Sequence, residues 1–271
     1  MFATGDPTVI VGERINPTGR AALAEELRAG KLDRALADAA VQAEAGADYI
    51  DVNVGAPGVD EAALLPRLVV AVAEKTGLPV CVDSADPAAL AAALASYRTP
   101  EAIVNSVTAD NESMDAVLPL VGETGCYVIA MTKDRGGIPA TAEERLARAE
   151  RIVERAAAFG IPPERILVDC LTIPAATESG AATVTLRSIS LIREKLGCPV
   201  ALGASNISFG MPERPVINSA FLCLAVEAGL AAAIVNPLEP DLVLSIRAAD
   251  FLLGKDRMGR AYLKYYRAHK T

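Results

Sequence analysis

Eight short apolar runs punctuate this chain, at residues 8–11, 49–52, 80–82, 102–104, 127–130, 166–168, 200–202 and 232–235. Each is apolar at successive positions instead of alternating, so both faces are buried, as in parallel strands covered by helices. Between the runs lie helical patterns with recognisable ends. Asp86-Pro87 places a capping acid before a first-turn proline, and Thr141 with Glu144 reads as a capping box before a helix over 145–159 that Gly160 ends, with Pro162-Pro163 beyond. Helical stretches 32–45, 62–76 and 185–196 stop at Gly46, Gly77 and Gly197, repeating one order of helix, glycine, strand. Eight such units in 271 residues match the size and count of a closed (β/α)8 TIM barrel, an α/β fold, as a single domain over 1–271. An open doubly wound sheet is the structural alternative. No linker, low-complexity tract or charge block divides the chain.

Hydrophobic residues make up 52% and aromatics only 4%, which suits Ala-rich helices on β-branched strands. A net charge of −8, with no basic stripe interleaved with aromatics, speaks against nucleic acid as a partner. The stretch 217–235 is nearly all apolar, but Glu227 and Gly229 interrupt it, so a helix followed by a buried strand is expected there, not a membrane span. Five cysteines, odd in number and without a CxxC pair, point to reduced thiols in a cytoplasmic protein. The N-terminal Met-Phe-Ala-Thr-Gly-Asp-Pro has neither the basic start nor the apolar stretch of a secretory leader.

In a parallel barrel, the residues that follow each strand converge on one mouth. Here they are Glu13 and Asn16, Asn53, Asp83, Asn105, Lys133, Asp169, Ser205 and Asn206, and Asn236. The set is rich in carboxylates and amides. Histidine is represented only by His269, in an Arg-Ala-His-Lys tail read as solvated surface, which excludes histidine acid–base chemistry. Zinc spacings, acidic calcium loops, and dinucleotide and P-loop fingerprints are all missing, so no bound metal is expected. A carboxylate accepts two N–H bonds and an amide both donates and accepts, a combination suited to a fused heterocycle such as a pterin or purine. Singly, each residue also reads as a helix cap or turn former. Glu13-Arg14 is either a site element or a structural salt link, and residues 133–137 form either a mobile loop over the mouth or a solvated charge run. Met131 and Cys170 read as packing residues.

At this point the chain resembles the methyltetrahydrofolate:corrinoid methyltransferases. They belong to the pterin-binding barrel superfamily, with dihydropteroate synthase and the folate module of cobalamin-dependent methionine synthase. The resemblance covers nearly the whole chain. It rests on Val11-Gly-Glu-Arg-Ile-Asn16, Asp51-Val-Asn-Val-Gly55, Val82-Asp-Ser84, Val104-Asn-Ser106 and Val168-Asp169, together with Gly203-Ala-Ser-Asn-Ile-Ser208 and Glu213-Arg-Pro-Val-Ile-Asn218. It implies that Asp83, Asn105 and Asp169 hold the pterin, that Gly203, Ser205 and Arg214 lie near it, and that Glu13, Asn16, Asn53 and Ser84 complete the substrate set. Asn206 is implied to act at N5, with Asp83 as the second catalytic residue.

The implied reaction moves a methyl group between tetrahydrofolate N5 and a corrinoid, a cobamide carried by a separate corrinoid protein. It runs in either direction, in acetyl-CoA synthesis or anaerobic demethylation, and the family often forms homodimers. A dihydropteroate synthase-like condensation is the enzymatic alternative. Ala204-Ser205-Asn206 stands where those enzymes carry a Ser-Arg-Lys-type motif, which disfavours it. A non-catalytic folate-binding barrel is the remaining alternative.

Overall fold

The computed structural model describes residues 2–269. Eight strands, β1 (Val9–Ile15), β2 (Tyr49–Asn53), β3 (Val80–Asp83), β4 (Ile103–Thr108), β5 (Tyr127–Met131), β6 (Ile166–Asp169), β7 (Val200–Gly203) and β8 (Ala232–Val235), form a closed parallel barrel in sequence order. Around it run α1 (Ala21–Arg28), α2 (Asp33–Glu44), α3 (Glu61–Thr76), α4 (Pro87–Ser96), α5 (Asn111–Thr124), α6 (Ala142–Ala157), α7 (Ala181–Leu196), α8 (Arg214–Ala228), α9 (Pro240–Leu252) and α10 (Arg260–His269). The closed barrel is the expected fold, and the open sheet is set aside.

Helix ends follow their local chemistry. The Thr141 hydroxyl accepts from the Glu144 N–H at 3.2 Å while the Glu144 carboxylate accepts from the Thr141 N–H at 3.2 Å, closing the anticipated capping box at the start of α6. Thr141→Ala should therefore cost about 1 kcal/mol, read as a melting temperature lowered by a few degrees in a thermal melt. α7 starts at Ala181, four residues before the expected start, because Gly180 at φ +84° caps it. Thr185 lies inside the helix, where its hydroxyl donates to Leu171 O. The apolar stretch 217–235 resolves into α8, a turn at Gly229 (φ +111°) and β8. The positive φ calls for glycine here, and a Cβ at Gly229 would also push the Arg193 side chain aside. Among the described residues no helix is long and apolar enough to cross a membrane.

Alternation along the strands sorts the barrel interior. Val9 and Val11, Tyr49, Cys81, Ile103, Ile129, Leu167, Ala201, and Ala232 and Ile234 point inward and pack as one apolar cluster, closed below by Phe2. Phe2 meets the Tyr127 ring edge-on at 4.9 Å between centroids. Two residues further along the same inward faces stand Glu13, Asp51 and Asn53, Asp83, Asn105 and Asp169. The lower barrel is thus a packed apolar plug, and the upper barrel is polar.

His269 is exposed at the surface, as expected, at the far end of the barrel. Its ring stacks on Tyr265 at 4.1 Å, with Nε2 3.0 Å from Glu44 O at the end of α2. It lies away from the mouth, as a structural contact.

Candidate active site

The polar residues that seemed to follow the strands are their last rungs. Asn53, Asp83 and Asn105 occupy adjacent positions across β2, β3 and β4, and Asp169 pairs with Met131 across β5 and β6. Strand alternation therefore aims all four inward, at a fixed spacing of about 4.8 Å between strands. Asp83, Asn105 and Asp169 border a cavity of about 780 Å³ at the C-terminal end of the barrel, lined among others by Glu13, Asn16, Asp51, Ser84, Gly203, Ser205 and Asn206.

Each expected site residue has a definite place. Asp169 accepts the Leu171 N–H at 2.7 Å, and burial pushes its carboxyl up to about 6 against that bond. Lys133, on the cavity wall, opposes the rise through its charge. Asp83 is likewise raised to about 6, chiefly by burial, although a bond from Asn53 pulls the other way. Asn53 also accepts the Gly55 N–H at 2.7 Å and does not line the cavity, so it acts as a brace for Asp83. The Ser84 hydroxyl donates to Glu61 at 2.6 Å and accepts the Asp86 N–H.

Asn16 spends its carbonyl on the Thr18 N–H, the turn-forming role, while still bordering the cavity. Glu13, on the cavity wall, accepts the Ser205 hydroxyl at 2.9 Å, and burial raises its carboxyl. Gly203 has open space where a Cβ would project, which keeps the cavity wall clear. The Asn206 side chain is exposed to the cavity and engaged by no protein hydrogen bond. Arg214 stands behind the wall, donating to Ser208 Oγ at 3.0 Å and to Ser205 O at 2.9 Å, and braces the turn Ala204–Ser208. Asn236 turns away, with its carbonyl accepting the Leu238 N–H.

Three features escaped the sequence. Asp51, only 3% exposed, accepts the Asn105 amide at 3.2 Å, and burial together with Asp83 holds its carboxyl well above the usual range. Its position two residues before Asn53 on one strand was the available signal. Arg145, read only as the start of a helix, is 1% exposed and donates to Cys170 O and Leu171 O, fixing the loop that follows Asp169. The Thr172 hydroxyl is buried on the cavity wall without a protein partner, which leaves it available to a ligand.

Residues 133–137 form a tight hairpin. Asp134 accepts from the Gly136 N–H and the Arg148 guanidinium, and the Arg135 N–H donates to Asp110. Cys170 is fully buried, as expected of a packing residue.

The arrangement offers carboxyls on two sides of a cavity large enough for a small-molecule ligand, an amide between them and a free amide at the rim. Residues 12–236 match the family model of pterin binding enzymes. Over 268 residues the chain is 36% identical to the methylcorrinoid:tetrahydrofolate methyltransferase of Eubacterium limosum, covering 97% of each protein. It is 34% identical over 248 residues to the methionine synthase of Mycobacterium tuberculosis, a span that is 87% of this chain and 21% of that enzyme. In fold it resembles the DHPS of Yersinia pestis (TM-score 0.68, 18% identity, 92% of this chain and 95% of that one). The dihydropteroate synthase of Xanthomonas albilineans is similar too (TM-score 0.66, 22% identity, 92% and 94%). Match and geometry agree, and the chain belongs to the pterin-binding enzyme family.

Proposed function

We propose that the protein moves a methyl group between N5 of tetrahydrofolate and the cobalt of a corrinoid carried on another protein. The observation that carries this reading is the convergence of Asp83, Asn105 and Asp169 in one cavity with an Asn206 amide that nothing else engages. The near full-length similarity to a methylcorrinoid:tetrahydrofolate methyltransferase supports it.

The ionised Asp169 accepts ring and exocyclic N–H groups of the pterin, Asn105 satisfies a neighbouring donor and acceptor, and the open wall at Gly203 admits the ring. Toward the corrinoid, the cob(I) electron pair forms the Co–C bond while the C–N bond breaks and its pair returns to N5. The reverse transfer returns the methyl to the N5 lone pair. A tertiary amine leaves poorly unless its charge is neutralised, which is the task of the Asn206 donor and of a proton from Asp83. At about 6, Asp83 still carries that proton in part near neutrality.

The two carboxyls pull in opposite directions with pH. Ionisation of Asp169 strengthens binding as pH rises through about 6, and ionisation of Asp83 removes the proton donor over the same range. The kcat/KM for methyltetrahydrofolate should therefore trace a narrow bell with its top at about pH 6. A flat profile from about pH 5 to 8 would contradict this division of roles.

The direct test mixes the protein with methyltetrahydrofolate and free cob(I)alamin and follows the cobalt spectrum. Methylcobalamin is expected; tight folate binding without it would leave only a binding barrel. The cytoplasm is the proposed setting, since Cys81, Cys126, Cys170 and Cys198 are buried free thiols. A homodimer is proposed through the outer helix faces, where Leu224 of α8 and Leu252 of α9 stand exposed. Sedimentation as a monomer would remove that part.

A further inference from the structure

We infer that the segment immediately after Asn206 is the docking element for the corrinoid protein, with Phe209 and Met211 as its apolar contacts. The inference rests on the methyl-transfer reading above. Phe209 is 61% exposed and Met211 40%, and on the same end of the barrel Leu238 and Ile138 are 45% and 43% exposed. Exposed apolar side chains thus stand on the loops that follow β5, β7 and β8, beside the mouth. Exposed apolar patches of this kind, rich in aromatic residues and methionine, mark protein interaction surfaces.

The segment is held in place. The Phe209 N–H donates to Asn206 O at 3.1 Å and the Met211 N–H to Ser208 O at 3.0 Å, with the Arg214 guanidinium clamped over the same turn. Glu213 sits at φ +49°, in a region that L side chains rarely adopt. The turn and its hydrogen bonds thus hold the backbone that carries Phe209, and Glu213 marks the entry to α8.

The chemistry of the mouth identifies what covers it. The lower barrel is a packed plug, so N5 is approached only from the C-terminal end. Methyl transfer needs the cobalt in line with the N5–carbon bond, which seats the carrier over the mouth and brings its protein shell onto the rim. Phe209 is three residues from Asn206, on the rim that the carrier's protein shell reaches. A second copy of this chain on the same loops would close the mouth that the other reactant has to enter.

The test compares two methyl acceptors, free cob(I)alamin and a corrinoid protein reconstituted with cobalamin and reduced, with methyltetrahydrofolate as donor. Phe209→Ser/Met211→Ser should lower kcat/KM for the corrinoid protein at least tenfold, mostly through KM, and change the rate with free cob(I)alamin less than twofold. A Phe209→Glu variant should behave alike, and thermal melts confirm that each variant folds. Equal losses with both acceptors would place the segment in the catalytic machinery instead and overturn the inference. So would unchanged kinetics with the corrinoid protein, including the case in which the double variant merely converts a dimer to a monomer. If the wild-type protein methylates neither acceptor, the methyl-transfer reading itself falls and the docking inference with it.

Discussion

Asn206→Ala should slow methyl transfer by about 10²–10³-fold while weakening tetrahydrofolate binding only a few-fold, a split characteristic of a donor used chiefly in the transition state. The side chain is exposed on the cavity wall and makes no hydrogen bond within the protein, so its removal leaves no unpaired protein group behind. Its loss is felt where charge changes. In the ground state N5 is a weakly basic amine that a donor improves little. As the C–N bond breaks, N5 gains an electron pair, and a preformed N–H dipole in a partly dry cavity stabilises it. Stopped-flow decay of the cob(I) absorbance gives the rate, and fluorescence titration with folate gives the affinity. Equal losses in both would reduce Asn206 to a binding residue, and an unchanged rate would remove it from the mechanism.

The alternation of runs and glycine-ended helices made the barrel legible, because burial on both faces of a strand leaves no other pattern of residues. The boundaries were less so. Reading strands as apolar runs stops β1 at Val11, whereas it continues through Gly-Glu-Arg to Ile15, and β4 continues to Thr108. Those polar residues remain in the ladder because the mouth of the barrel is lined by a ligand cavity and not by hydrocarbon. The same cause hid Asp51. A carboxyl inside an apolar run looks like an interruption until the period of two places it on one face with Asn53 and, through the register of β2 with β3, level with Cys81. Ser84, Asn53 and Arg214 show the converse. Their residue types announced a site, but Asn53 and Arg214 brace the cavity-lining Asp83 and Ser205, and Ser84 spends its hydroxyl on Glu61 and the Asp86 N–H, a division of labour set by tertiary contacts that spacing does not record.

Asp83→Asn should raise the stability of the ligand-free protein at neutral pH while abolishing most methyl transfer. Burial is the largest cause of the rise of the Asp83 carboxyl to about 6, so the folded state holds its proton more tightly than the unfolded chain does. The sign follows from linkage. Stability is greatest where Asp83 is protonated in both states, falls as pH rises from about 4 to about 6, and stays lower above that by an amount bounded at about 3 kcal/mol. Asparagine keeps the shape and accepts the Asn53 bond without carrying a charge beside Glu61, a neighbour that also raises the carboxyl. The variant should therefore melt several degrees above wild type near pH 7.5, with the gap closing as pH falls toward about 4. Scanning calorimetry across that range, paired with the cobalt assay, measures both effects. A variant that melts lower than wild type at every pH would mean that Asp83 supports the fold. A higher melting temperature joined to lost transfer would identify the buried carboxyl as a charge retained for chemistry at the expense of stability.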